Sequence, residues 1–187
     1  MSNVGSKISC GGLLICALTA GIRILTYFGA IIFGDEVIAD TYIYLNYGFL
    51  LGLAITFIGY ILKFIGERDF FDLITALTIL ITLVVSSGLF PYVVFGAQLS
   101  IGKLIYSVLE ELFLLGLGLN FMKKGKTAPG IIMILIFVYF ALIYPVAIVI
   151  VFGGGVGGII GYLIRIFNAV ISALTLGLAA VSVASDD

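Results

Sequence analysis

The chain has 187 residues, 63% of them hydrophobic and only 10% charged, and its mean hydropathy is +1.33. Water-soluble domains carry about 25% charged residues, so a fold of this length bathed in water on every side is excluded. Nine Lys and Arg balance ten Asp and Glu, which leaves no basic surface for nucleic acid.

A crossing of the hydrocarbon needs about 20 apolar residues, and in chain order the first such stretch is 8–33. It is too long for the apolar part of a signal peptide and shows no cleavage pattern before Arg23, so it is expected to remain as a span. Cys10 and Cys16 stand six positions apart, on different sides of a helix, which argues against a disulfide between them. Small residues recur every fourth position at Gly12, Cys16 and Ala20, a face that lets a second backbone approach closely. Arg23 sits in mid-stretch, where a guanidinium costs at least about 2.5 kcal/mol unless it meets a partner or a wet cavity.

The second stretch, 42–65, opens on Tyr42, Tyr44 and Tyr47, as an aromatic belt at a membrane boundary does. The third, 71–89, follows Asp69 and begins with Asp72; a hydroxyl stripe of Thr75, Thr78, Thr82 and Ser86 then runs along it. The spacing of Asp69 and Asp72 resembles an acidic pair that holds magnesium-diphosphate. No second acidic motif accompanies it, so a solvated helix start is the favoured reading.

In the fourth stretch, 99–122, Lys103, Ser107, Glu110 and Glu111 follow three- and four-residue steps. Because adjacent residues differ by about 100° around a helix, the two glutamates cannot share one partner equally. The fifth, 129–152, starts at Thr127 and Pro129, an ordinary helix start. Its Pro145 withholds a donor from the carbonyl of Ala141 and predicts a kink. The sixth, 157–183, follows the glycine-rich run 153–158, which lacks the Lys-Ser/Thr of a phosphate loop. It carries Arg165, Asn168 and Ser172 on one face and the small residues Ala169, Ala173 and Gly177 on another.

These elements predict an all-α fold: a polytopic integral membrane protein, one transmembrane domain over residues 1–187, built as a bundle of six helices with short loops. Lys7, Lys63, Arg68, Lys123, Lys124 and Lys126 fall on one side of that topology, and Asp35, Glu36 and Asp40 on the other. Both termini are therefore expected in the cytoplasm, with the protein in the cell membrane.

A helical rise of 1.5 Å per residue puts Arg23, Glu110 and Glu111 about 15 Å below the outer boundary and Arg165 about 12 Å below it. One charged layer is expected, and the substrate-binding candidates are Arg23, Lys103, Glu110, Glu111, Arg165 and Asn168. Three cations facing two carboxylates would leave one positive charge for a small anionic solute; alternatively the glutamates exchange protons during transport. Six short spans in fewer than 200 residues resemble the substrate-capture subunits of energy-coupling-factor vitamin transporters, without their coupling motif.

The leading expectation is a membrane module that binds or transports a small anionic solute with homo- or hetero-oligomeric partner subunits. The competing one is a non-catalytic scaffold subunit of a larger membrane complex, in which Arg23 and Arg165 simply neutralise Glu110 and Glu111. The chain has no histidine, and with it go the usual general base and commonest metal ligand. No enzyme activity, metal or cofactor is therefore expected.

Overall fold

The structure is a computed structural model that describes residues 2–34, 36–87, 101–152 and 158–185. Most of the glycine-rich run and the side chains of Asp35, Glu36, Asp40 and Lys103 lie outside the described residues.

The described residues are all-helical: α1 Ser2–Phe33, α2 Glu36–Glu67, α3 Phe70–Ser86, α4 Ile101–Glu110, α5 Leu112–Lys123, α6 Thr127–Val138, a π-helical turn Tyr139–Ile143, α7 Tyr144–Phe152 and α8 Gly158–Ala184. Four helices are long and apolar enough to cross a membrane, and α4 with α5 makes a fifth if that pair, bent by 49°, is one span. Helix α3 is apolar but shorter. Its 17 residues rise only about 25 Å.

The apolar side chains that point outward are those a bilayer would cover. On α1, Leu18, Leu25 and Ile32 are 66%, 70% and 71% exposed, and on α8 Leu174 and Val181 are 70% and 67% exposed. Each set repeats every seventh residue, a stripe along one helix face. Water would penalise such stripes, whereas lipid does not.

Helices α1 and α2, α2 and α3, α3 and α5, and α5 and α6 pack side by side, and α8 returns to α1. The α1–α2 contact is the most extensive, and glycines face glycines across it. A Cβ on Gly12 would stand 2.6 Å from the Gly52 carbonyl, and one on Gly52 would stand 2.8 Å from the Gly12 carbonyl. The expected small face of Gly12 and Cys16 is thus used, with the Cys16 thiol donating weakly to the Phe49 carbonyl of α2. Cys10 and Cys16 are both free thiols. Helices α5 and α6 repeat the device with Gly118 against Gly130.

The first turns of α1 and the last turn of α8 lie at one end of the bundle. Gly5 near the start of α1 faces Gly59 and Lys63 near the end of α2. Asp69, which caps α3 by accepting from the Phe71 N–H, pairs with Lys123 at the end of α5. The Lys126 ammonium donates to the Ser182 carbonyl and the Ser185 hydroxyl, closing the last turn of α8. A cation there also complements the negative end of the helix dipole. Above this end Leu13, Leu53, Tyr60, Ile79, Phe121 and Val183 fill a continuous core.

Asp72 does not sit in solvent. It is fully buried, and its Oδ1 accepts from Asn120 Nδ2 at 2.8 Å and faces Lys124 Nζ at 3.3 Å. The solvated-start reading holds for Asp69 only, because the first turn of α3 turns Asp72 into the α3–α5 seam.

Candidate functional site

Arg23 projects from α1 toward α2, where its guanidinium stands 5.6 Å from the ring centres of both Tyr42 and Phe49. Aromatic faces attract a cation at such range without consuming its hydrogen-bond donors. The Nε of Arg23 is buried without a partner among the described residues. The neighbouring hydroxyls do not serve it: Thr19 donates to the Ile15 carbonyl and Thr26 to the Ile22 carbonyl, within their own helix.

Beside the guanidinium is a cavity of about 120 Å³, room for several waters or a small solute. Every helix of the ring except α7 lines it: Ala20 and Arg23 from α1, Asn46 and Phe49 from α2, Ser86 from α3, Glu110 from α4, Leu114 from α5, Ile136 from α6, Phe140 from the π-helical turn and Thr175 from α8. The half-buried Glu110 and Glu111 face Arg23 there, close enough for its charge to act on both, yet neither makes a direct ion pair with it among the described residues.

The glutamates sit where α4 breaks from α5. In a regular helix the Phe113 N–H would bond the Leu109 carbonyl. Here the Thr82 hydroxyl of α3 stands between them, accepting from Phe113 N–H and donating to the Leu109 carbonyl, each at 3.2 Å. A side chain inserted into the ladder in this way is a recognised cause of a kink. Glu111 takes φ −101° and ψ 4°, outside the helix region, and the two halves meet at 49°.

The π-helical turn packs against α4 and runs into Pro145. The Tyr144 N–H bonds the Tyr139 carbonyl five residues back, so the backbone anticipates the missing donor of Pro145 by shifting register. The kink expected at this proline is a π-turn, a device that recurs at functional sites.

The predicted layer is only partly assembled. Arg23, Glu110 and Glu111 meet, and Ser172 joins them from α8. Arg165 does not: it is exposed, stands 5.8 Å from the ring centre of Tyr162, and lies next to Ile166, which packs on Tyr27. Its level on α8 is therefore at least a turn farther from the termini than Arg23. Asn168 accepts from the Tyr139 hydroxyl at 2.9 Å and is likewise outside the cavity. Depth counting from a common outer plane failed because α1 and α8 do not end at the same height. The Lys103 side chain lies outside the described residues.

Sequence reasoning missed Asn46, Phe49 and Thr175. Asn46, an amide inside an apolar stretch, was the signal available for the first. No protein-family model matches the chain, nor does any curated protein or solved structure, so the site is read from its own geometry.

Proposed function

We propose that the chain crosses the cell membrane six times, with both termini in the cytoplasm, and binds a small hydrophilic solute in the Arg23 cavity for transport with partner subunits. The orientation is supported by Lys7, Lys63, Arg68, Lys123, Lys124 and Lys126, all near the end that carries the termini. The observation that carries the solute reading is the hollow layer: one guanidinium and two carboxylates face a void with no ion pair between them among the described residues. A scaffold subunit gains nothing from such a void and would favour a filled, paired layer.

The sign of the solute changes from the sequence expectation. The anionic expectation counts Arg165 and Lys103 beside Arg23, but Arg165 lines no part of the cavity and the Lys103 side chain lies outside the described residues. Without Arg165 the described cavity holds two acidic groups and one basic one, which favours a solute with an ammonium or another basic group. Asn46, Ser86 and Thr175 supply polar contacts for its remainder.

The test is thermal stability of purified protein against a panel of small amines, small carboxylates and inorganic phosphate. Amines are expected to raise the melting temperature, as any ligand selective for the folded state does, and Glu111→Gln should abolish the effect. A flat response to the whole panel would count decisively against solute binding. Stabilisation by carboxylates or phosphate that vanishes in Arg23→Gln would restore the anionic expectation.

A further inference from the structure

Two cavities meet at the Glu110–Glu111 turn. Both glutamates, with Phe140, line the Arg23 cavity and also a second cavity of about 230 Å³, bounded by Ser107, Tyr144, Pro145 and Ile148. The pair is therefore what the two spaces have in common. Its two carboxylates, on consecutive residues, repel one another, and the guanidinium opposite stacks on aromatic rings instead of clamping either. Two like charges held together away from bulk water are relieved when they share a proton. Irregular backbone lies on both sides of the pair, the Thr82-wedged break and the π-turn leading to Pro145. Broken helices of this kind line ion and substrate sites where they occur in membranes.

We propose that Glu110 and Glu111 form a proton relay between the two cavities. In each transfer the O–H bond of one carboxylic acid breaks as an O–H bond forms on the neighbouring carboxylate. The proton enters from water in one cavity and leaves to water in the other. The inference deepens the solute-binding reading and rests on it for the coupling: a basic solute in the Arg23 cavity and a proton on the pair compete for the same negative charge, so uptake of one releases the other.

Among the described residues the titratable and charged groups facing the pair are few. Arg23 comes from α1, Tyr42 from α2 and Tyr144 from α7, while α3 and α8 offer only the hydroxyls of Ser86, Ser172 and Thr175. The π-turn and α5 offer apolar groups, Phe140, Phe113 and Leu114. Thr82 acts as a positioning residue: its hydroxyl keeps Glu111 in a turn, so that both side chains border both cavities.

Dicyclohexylcarbodiimide tests the relay, because this apolar reagent adds a protonated carboxyl across its N=C bond and ends as a stable acylurea that peptide mass mapping locates. The purified protein reconstituted in liposomes is expected to take one adduct at Glu110 or Glu111, with labelling that falls as pH rises, by up to about tenfold per unit. The exposed Glu67 should stay unlabelled at neutral pH. A shared proton makes a sharper demand: Glu110→Gln should lower labelling of Glu111, and Glu111→Gln that of Glu110, because burial still favours the protonated form but the second carboxylate no longer adds to it. Thr82→Val should reduce labelling while Thr82→Ser keeps it.

Labelling of the remaining glutamate at the wild-type rate in either single variant, or no adduct on the pair at any pH, would overturn the relay. Amine-dependent stabilisation with no pH-dependent adduct would leave the solute reading standing and remove the relay. The opposite pattern would remove the solute and keep the relay.

Discussion

The two ends of the bundle hold polar groups in opposite ways. Toward the termini Asp72 and Asn120 are fully buried, yet they are joined to each other, Lys124 balances the carboxylate, and apolar side chains close the space above them. Toward the other end Arg23, Glu110 and Glu111 are only half-buried, surround a void and are not ion-paired with one another among the described residues. At the packed end one oxygen of each partner, Asp72 Oδ2 and Asn120 Oδ1, has no partner among the described residues, but the charge is balanced, and a paired buried network specifies packing. Charged groups kept unpaired in a membrane interior are costly and persist where something else must meet them. The contrast assigns stability to the first region and ligand chemistry to the second.

Substitutions should separate the two regions, and the largest effect belongs to the packed end. Asp72→Ala strips both Asn120 and Lys124 of their acceptor, and a loss of about 2–4 kcal/mol is expected in unfolding measured in mild detergent. Gly52→Val follows, since its Cβ would lie 2.8 Å from the Gly12 carbonyl and 2.5 Å from the Cys16 sulfur. Overpacking of that kind costs about 1–3 kcal/mol, visible as a lower melting temperature. Arg23→Gln should change stability by less than about 1 kcal/mol while altering the response to the solute panel. A large loss of stability from Arg23→Gln would erase the contrast and make the hollow layer structural after all.

The smallest expected effect sharpens the packed end. The Lys123 ammonium, followed by the Phe71 N–H, holds the Asp69 carboxyl below its ordinary value of 3.8. A carboxylate whose pKa is depressed on folding stabilises the fold above the unfolded value and loses that contribution as pH falls through the folded one. Acid titration of stability should therefore be slightly shallower below pH 3.8 in Asp69→Asn than in the wild type. The pair is partly exposed, so at neutral pH the difference stays within about 1 kcal/mol.

Much of this was legible before any coordinates. Apolar runs placed the helices to within a few residues, apart from extensions such as Ser2 to Lys7 on α1, because a helix continues past the hydrocarbon at little cost. The small faces at Gly12 and Cys16 and the hydroxyl stripe on α3 were legible through helical spacing. Thr82 belonged to that stripe, but spacing alone showed no reason why one threonine should break a neighbouring helix. The Asp72 reading went wrong because a carboxylate one turn into a helix is solvated or buried according to which neighbour stands over it.

By itself, then, the sequence determined an all-helical, lipid-compatible chain and the identity of the ionisable groups inside its apolar runs, since hydropathy and helical period are properties of each segment alone. Only the tertiary structure decided which of those groups meet. The relative height and rotation of the helices are set by contacts between segments, and a shift of one turn keeps Arg165 out of the cavity while a single hydroxyl from α3 opens the backbone at Glu110 and Glu111.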